Sequence, residues 1–132
     1  MAEFVLPYQT AIWTLFGLAL LNLGQLLVSD IAGIRAKHKP GFPVEARGAS
    51  FLFRSSRAFA NTNESLGAFL LLVLASVLLA ASPHWTNILA LGYLASRIVY
   101  TLAYYMHWAV FRSVVFGLGI AILFGLAMNI VL

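Results

Sequence analysis

The sequence predicts an all-α integral membrane protein that folds as a bundle of four transmembrane helices. Of its 132 residues, 62% are hydrophobic and only 9% are charged, and the mean hydropathy is +0.94. Soluble domains are nearer to a quarter charged, so this composition excludes a water-soluble fold. The apolar residues form long runs that can cross the ~30 Å hydrocarbon core of a bilayer. We expect one domain that covers residues 1–132.

The first helix is expected at about residues 5–34. Pro7 suits its first turn, where a missing N–H group costs no hydrogen bond. Asn22, Gln25 and Ser29 stand at i, i+3 and i+7, which indicates a weak polar stripe that faces protein rather than lipid. The N-terminus lacks the features of a signal peptide, so we expect this helix to remain in the protein.

The connection over residues 35–53 contains most of the charge outside the helices. Its cations exceed its anions, so the positive-inside rule places it in the cytoplasm and both termini on the opposite side. The formal net charge of +4 does not indicate nucleic acid binding, because no basic stripe with stacking aromatics is present outside the apolar runs. His38 has no second ligand nearby, and the chain has no cysteine, so we predict no metal site.

The second helix is expected at about residues 54–81, and it opens with polar residues. Arg57, Asn61 and Glu64 stand at i, i+4 and i+7 and therefore share one helix face. Polar groups at the start of a membrane-spanning run are costly unless they have partners or a ligand. This stripe is predicted to form half of a binding site for a small, charged molecule.

The third helix, expected at about residues 86–106, carries an arginine well inside the span. Tyr93, Arg97, Tyr100 and Tyr104 form one continuous stripe along it. Tyrosines near the ends of membrane helices are usually interfacial anchors. That interpretation fits poorly where tyrosines flank a deep arginine on the same face, so the stripe is a second candidate for the site.

The fourth helix, expected at about residues 111–131, has Arg112 and Ser113 in its first turn and no charge after them. Taken alone, Arg112 reads as a cytoplasmic flank of a membrane helix. The polar groups of helices two, three and four nevertheless all fall in the cytoplasmic half of the bundle. Their convergence favours a site for a peptide-like zwitterion, in which guanidinium groups bind carboxylates and Glu64 binds an ammonium group.

Simpler structural roles remain open for several of these charges. Arg97 and Glu64 lie near the same depth, so the two could pair and lock the bundle without contacting any ligand. Arg54 and Arg57 could extend to lipid phosphate groups, which is the favoured interpretation for Arg54.

Two separated patterns resemble one known family. The pattern Arg-x-x-Arg-Ala-x-x-Asn-x-x-Glu at residues 54–64, the run at residues 97–104 and the pair Arg112-Ser113 resemble the membrane-associated proteins in eicosanoid and glutathione metabolism (MAPEG). The family includes microsomal glutathione transferases, leukotriene C synthase and microsomal prostaglandin E synthase, and this chain is most similar in pattern to a bacterial transferase-like member. Phe116 departs from the pattern, because some members carry a tyrosine there.

The resemblance implies a homotrimer that binds glutathione between neighbouring subunits near the cytoplasmic side, without a metal. It implies that Arg112 is catalytic and stabilises the glutathione thiolate. The residues that it implies for glutathione binding are Arg35, Arg57, Asn61, Glu64, Arg97, Tyr100, Tyr104 and Ser113.

The function implied is that of a membrane-bound glutathione transferase or peroxidase, with hydrophobic electrophiles or lipid hydroperoxides as second substrates and membrane lipid around it. Two alternatives stay open: a non-catalytic lipid-binding or scaffold protein of the same fold, and a small multidrug transporter. The lack of cysteine and the short chain favour the bacterial inner membrane.

Overall fold

The computed structural model describes residues 2–132, and the fold over these residues is helical. After a short 3₁₀ helix (Glu3–Tyr8) come four α-helices: α1 (Gln9–Arg35), α2 (Phe51–Leu78), α3 (Pro83–Tyr105) and α4 (Ala109–Val131). Each α-helix is long and apolar enough to cross a membrane. The predicted all-α fold with four candidate spans is therefore confirmed, whereas the homotrimer remains a prediction.

The ends of α2 and α3 differ from the predicted ends because of local capping. α2 begins at Phe51 rather than 54, since the side chain of Ser50 accepts a hydrogen bond from the backbone N–H of Phe53. It ends before residue 81 because Ala80 adopts a positive φ of 53°. α3 begins at Pro83, a residue suited to the first turn of a helix.

The buried core contains side chains from all four α-helices, and α1 and α4 each pack against both α2 and α3. Phe69 of α2 stacks on Tyr93 of α3 with a ring-centroid distance of 4.3 Å, and both side chains are buried. Outside this core, large apolar side chains such as Leu71 and Phe124 are exposed, as expected for surfaces that meet lipid or another apolar surface.

Polar side chains join α1 to α2 along one seam. The pairs are Asn22 with Asn63 at 3.2 Å, Gln25 with Thr62 at 2.9 Å, and Ser29 with Ser56 at 3.1 Å. The polar stripe predicted on α1 therefore does face protein. Such pairs satisfy polar groups that would be costly in lipid, and they fix the position of α2 along α1.

Candidate functional site

A buried arginine lies at the centre of the polar region. Arg97 is only 1% exposed, and its Nη1 donates a hydrogen bond to Oδ1 of Asn61 at 2.9 Å. Its Cζ lies 5.5 Å from the ring centroid of Tyr93, 4.7 Å from that of Tyr100 and 5.8 Å from that of Phe116. Aromatic faces and one amide therefore hold this cation inside the bundle.

The close approach of α4 to this arginine depends on a glycine. A Cβ at Gly119 would lie 2.7 Å from Nη2 of Arg97 and 3.3 Å from Oγ of Ser96. Real side chains do not tolerate the shorter distance, so Gly119 provides the space that the guanidinium occupies. The glycine thereby allows α3 and α4 to pack with the cation between them.

The polar face of α2 forms a chain of contacts that ends at the buried arginine. Nδ2 of Asn61 donates to Oε2 of Glu64 at 3.3 Å, and Oε1 of Glu64 lies 3.6 Å from Nη2 of Arg57. Arg97 and Glu64 are therefore linked through Asn61, and they do not form the direct ion pair that the sequence left open. Asn61 lies between the two, because it can donate to the carboxylate while it accepts from the guanidinium.

A small pocket opens beside these contacts, between α2, α3 and α4. Its volume is about 240 Å³, and its lining residues are Asn61, Tyr100, Tyr104, Arg112, Ser113 and Phe116. All but the last were predicted site residues, and the pocket brings them together within one protomer. Whether they bind the predicted ligand remains a prediction.

Arg112 gives this pocket its electrostatic character. Its Cζ lies 4.3 Å from the ring centroid of Tyr104, and it has no carboxylate within ion-pair distance among residues 2–132. Ser113 Oγ donates to the carbonyl of Ala109 at 3.0 Å, so its lone pairs remain as acceptors. A pocket with an uncompensated guanidinium and neighbouring phenols suits an anionic ligand.

Four predicted site residues do not line this pocket, and one of them is Arg97, which is buried and hydrogen-bonded to Asn61. Arg35 is exposed at the end of α1. The side chains of Arg57 and Glu64 are 44% and 58% exposed, and they contact each other on the outer face of α2. Their contacts with a ligand remain a prediction.

Arg54 has a role that the sequence did not indicate. Its Nη1 donates to the carbonyls of Gly48 and Ala49 at 3.0 and 2.8 Å, and its Nη2 donates to the carbonyl of Tyr105 at 3.4 Å. The side chain thus ties the connection between α1 and α2 to the end of α3, rather than extending to lipid. The carbonyls at a helix C-terminus lack partners within the helix, which is the signal that could have predicted this contact.

The positions of histidine, aspartate and glutamate side chains were compared with those of a metal site. No group of three or more histidine, cysteine, aspartate or glutamate residues comes together within the described part of the chain, residues 2–132. The polar groups that line the pocket are one guanidinium, one amide, two phenols and one hydroxyl.

Comparison with known proteins adds one match. The sequence model of the MAPEG family matches residues 10–132, which is nearly the whole chain. No curated protein and no solved structure matches it.

Proposed function

The chain belongs to the MAPEG family, and from this premise we propose that it is a membrane-bound glutathione transferase or peroxidase. The single observation that carries the proposal is Arg112, a cation that has no carboxylate partner among residues 2–132 and lies in a pocket that also presents Tyr100 and Tyr104. Glutathione would be the co-substrate. The second substrate would reach the site from the bilayer that surrounds this integral membrane protein.

The residue types of the site match the groups of glutathione. Guanidinium groups bind carboxylates through paired, charge-assisted hydrogen bonds. Glu64 offers a carboxylate for the ammonium group of the tripeptide, and Asn61 offers both a donor and an acceptor for its amide bonds. Asn61 is held in place by Arg97, so we assign Arg97 to the positioning of this amide.

Arg112 would act on the thiol of glutathione. A free thiol has a pKa of about 8.5, and a nearby cation lowers it. If the cation lowers this pKa by about two, the thiolate is favoured by ~2.7 kcal/mol, and its fraction at pH 7 rises from about 3% to about 75%. The thiol proton would pass to solvent, and the sulfur lone pair would be free to attack.

The same thiolate supports two reactions. With a halo-aromatic or an epoxide, sulfur forms a bond to carbon, and the halide leaves or the epoxide oxygen takes a proton. With a lipid hydroperoxide, sulfur attacks the terminal peroxide oxygen, the O–O bond breaks, and the lipid alkoxide takes a proton to leave as an alcohol. A second glutathione thiolate then displaces water from the sulfenic acid, which needs one proton, and gives the disulfide.

We propose that the site is completed by neighbouring copies in a homotrimer. Glu64 lies near the middle of α2, where an exposed charge would be costly if it faced lipid. The pocket of about 240 Å³ is also smaller than the ~300–1,000 Å³ typical of ligand sites. A second copy packed over α2 would cover the Arg57–Glu64 pair and bring these residues, and Arg35, to the bound tripeptide.

The orientation in the membrane follows from the charge of the connection before α2. We place residues 36–50, which contain more cations than anions, in the cytoplasm, and both termini on the opposite side. The pocket lies at the start of α4 and the end of α3, so it would open toward cytoplasmic glutathione. The bacterial inner membrane remains our prediction for its location.

The proposal is tested with Arg112→Ala, Arg112→Lys and the control Arg47→Ala. Arg47 is an exposed connection residue that pairs with Glu45, so its loss removes the same charge outside the pocket. We expect Arg112→Ala to retain measurable glutathione binding but to lose about 25-fold in thiolate at pH 7, measured by ultraviolet absorbance. Lysine should restore part of the thiolate, and the control should behave as the wild type.

An unchanged thiolate signal in Arg112→Ala would reject this role. If the protein binds glutathione but neither conjugates a generic aromatic electrophile nor reduces a lipid hydroperoxide, it would instead be a non-catalytic lipid-binding or scaffold protein. The transporter alternative is disfavoured because Glu64, a carboxylate near the middle of α2, is already engaged in an ion pair with Arg57.

A further inference from the structure

A second cavity lies where the end of α1 meets the following connection and the start of α2. Its volume is about 500 Å³, which is within the ~300–1,000 Å³ typical of ligand sites. It shares no lining residue with the pocket around Arg112. Apolar side chains such as Ile34 and Leu52 line it together with the carboxylate of Asp30 and the imidazole of His38. The cavity is therefore amphipathic and separate from the site described above.

The carboxylate of this cavity lies on an apolar, exposed face of α1. Leu23, Leu27, Asp30 and Ile34 stand at i, i+4, i+7 and i+11, and the three apolar members of this stripe are exposed. Asp30 is exposed as well, and it has no cation within ion-pair distance among residues 2–132. A carboxylate on a helix face that meets lipid is costly without a partner. Because the side chain is exposed, a molecule outside the bundle can reach it.

The position of Asp30 along the chain places it near the lipid headgroups. Residues 4–29 carry no charge, and Asp30 is the first charged residue after them. This run is long enough to cross the ~30 Å hydrocarbon core, so Asp30 lies close to the level where the core gives way to the headgroups. Arg35 and the connection that follows it then lie at the level of the headgroups. A cation carried by a headgroup is thus within reach of this carboxylate.

Two lysines flank a lining residue of the same cavity. Lys37 and Lys39 stand on either side of His38, and both are exposed. The Nζ of Lys39 lies 5.1 Å from the ring centroid of Phe42, and Nε2 of His38 donates to the carbonyl of Phe42 at 2.9 Å. These contacts hold the turn that carries Lys39 beside the cavity, whose lining includes Pro40. The cavity thus combines a carboxylate with cations next to it in the connection, which suits a ligand that carries both charges.

Lys37 occupies a backbone position that usually belongs to glycine. Its φ is 54°, its N–H donates to the carbonyl of Ile34 at 3.1 Å, and the N–H of His38 donates to the carbonyl of Gly33 at 2.9 Å. This is the Schellman arrangement that ends many helices, and glycine is favoured at its positive-φ residue because a side chain is strained there. The chain therefore carries a cation at a position where backbone stability alone favours glycine.

We propose that this cavity binds the headgroup of a phospholipid that carries a primary ammonium group, as phosphatidylethanolamine does. The ammonium group donates hydrogen bonds to Asp30 and neutralises it, and the phosphate is attracted by Lys37 and Lys39. The acyl chains lie along the exposed stripe that includes Leu23 and Leu27. A choline headgroup is a poorer match, because its trimethylammonium group has no N–H to donate. A headgroup with a phosphate alone brings no cation to the carboxylate.

The test measures lipid binding to the full-length protein in detergent by native mass spectrometry. The probes are dioleoyl phosphatidylethanolamine, dioleoyl phosphatidylcholine and dioleoyl phosphatidylglycerol, which share their acyl chains and differ in the headgroup. The ethanolamine lipid should bind about fivefold more tightly than the choline lipid, because only its ammonium group can donate a charge-assisted hydrogen bond to a partly solvated carboxylate. Equal affinity for these two lipids would overturn the proposal.

Asp30→Asn keeps the shape of the side chain and removes its charge. It should abolish the preference for ethanolamine, leave the affinity for the choline lipid unchanged and raise the affinity for phosphatidylglycerol, whose anionic headgroup is no longer repelled. Glu45→Gln is the matched control, because Glu45 is exposed, pairs with Arg47 and does not line the cavity. It should keep the wild-type preference. A retained preference in Asp30→Asn would overturn the proposal, and so would dissociation of an oligomer, because Asp30 would then pair with a second copy of the chain.

Lys37→Gly separates phosphate binding from stability. Glycine relieves the positive φ, so the thermal midpoint should rise. Loss of the cation should nevertheless lower the affinity for the ethanolamine and choline lipids equally, by about two- to fivefold, because both carry the phosphate. Unchanged affinity would overturn the assignment of the phosphate to the lysines, and loss of the ethanolamine preference alone would contradict the assignment of the ammonium group to Asp30. Glutathione binding is not a readout here, so failure of either proposal leaves the other intact.

Discussion

The substitution Gly119→Ala tests whether the buried arginine holds the pocket in place. The new methyl group would lie 2.7 Å from Nη2 of Arg97, so either the guanidinium or α4 must shift. The guanidinium is the end of a flexible side chain, but rings of Tyr93, Tyr100 and Phe116 surround it and leave little room. The expected movement therefore breaks the hydrogen bond from Arg97 to the side-chain amide of α2.

The expected change in the free energy of unfolding is the sum of three effects. Loss of a hydrogen bond from a charged group costs about 2 kcal/mol, and overpacking of a tight contact costs about 2 kcal/mol. Alanine is favoured over glycine inside a helix by about 1 kcal/mol. We therefore expect Gly119→Ala to lower the free energy of unfolding by about 3 kcal/mol, and to weaken glutathione binding because Asn61 loses the contact that orients it.

The assay is thermal unfolding in detergent, combined with calorimetric titration of glutathione. Gly117→Ala is the matched control, because a Cβ there meets no atom within 4 Å and the change lies on the same helix. It should raise stability by up to about 1 kcal/mol. In an Arg97→Met background, which removes the clashing atom, Gly119→Ala should cost much less. If Gly119→Ala behaved like Gly117→Ala in the wild-type background, the argument from this contact would be refuted.

Three further results are expected. Glu64→Gln should weaken glutathione binding by about tenfold in calorimetry, because a charged partner for the ammonium group is lost, and unchanged affinity would remove Glu64 from the site. Arg54→Met should speed proteinase K cleavage between α1 and α2, since it deletes the contacts that hold this connection, whereas Arg47→Met should not. Ser50→Ala should lower the free energy of unfolding by about 0.5 kcal/mol, because the side-chain cap of α2 is lost. Ser50→Thr should keep the cap and the wild-type stability. Equal thermal midpoints for the two variants would contradict the capping role.

The periodicity of the sequence was enough to identify buried faces. Tyr93, Arg97, Tyr100 and Tyr104 share one face of α3, and all four are buried, because spacing along a helix fixes which side chains point the same way. The same spacing placed Arg57, Asn61 and Glu64 on one face of α2. Such arguments work because they require only the geometry of one helix at a time.

Contacts between helices were harder to predict. Sequence spacing gave similar depths to Asn61 and Glu64, so it could not decide which of them accepts from Arg97. It also gave no reason for Gly119, because the need for a glycine appears only when the guanidinium of the facing helix is in place. The position of one helix relative to the next depends on packing, which a single sequence does not reveal.

The contact between Arg97 and Asn61 has a consequence for membrane insertion. An arginine at the centre of a helix costs about 3 kcal/mol to insert. α2 is synthesised before α3, so the amide that accepts from Arg97 emerges from the ribosome before the cation does. α4 is synthesised last and adds the ring of Phe116 beside the guanidinium. The order of the helices along the chain thus means that the amide partner of Arg97 is made before the cation and an aromatic partner is made after it.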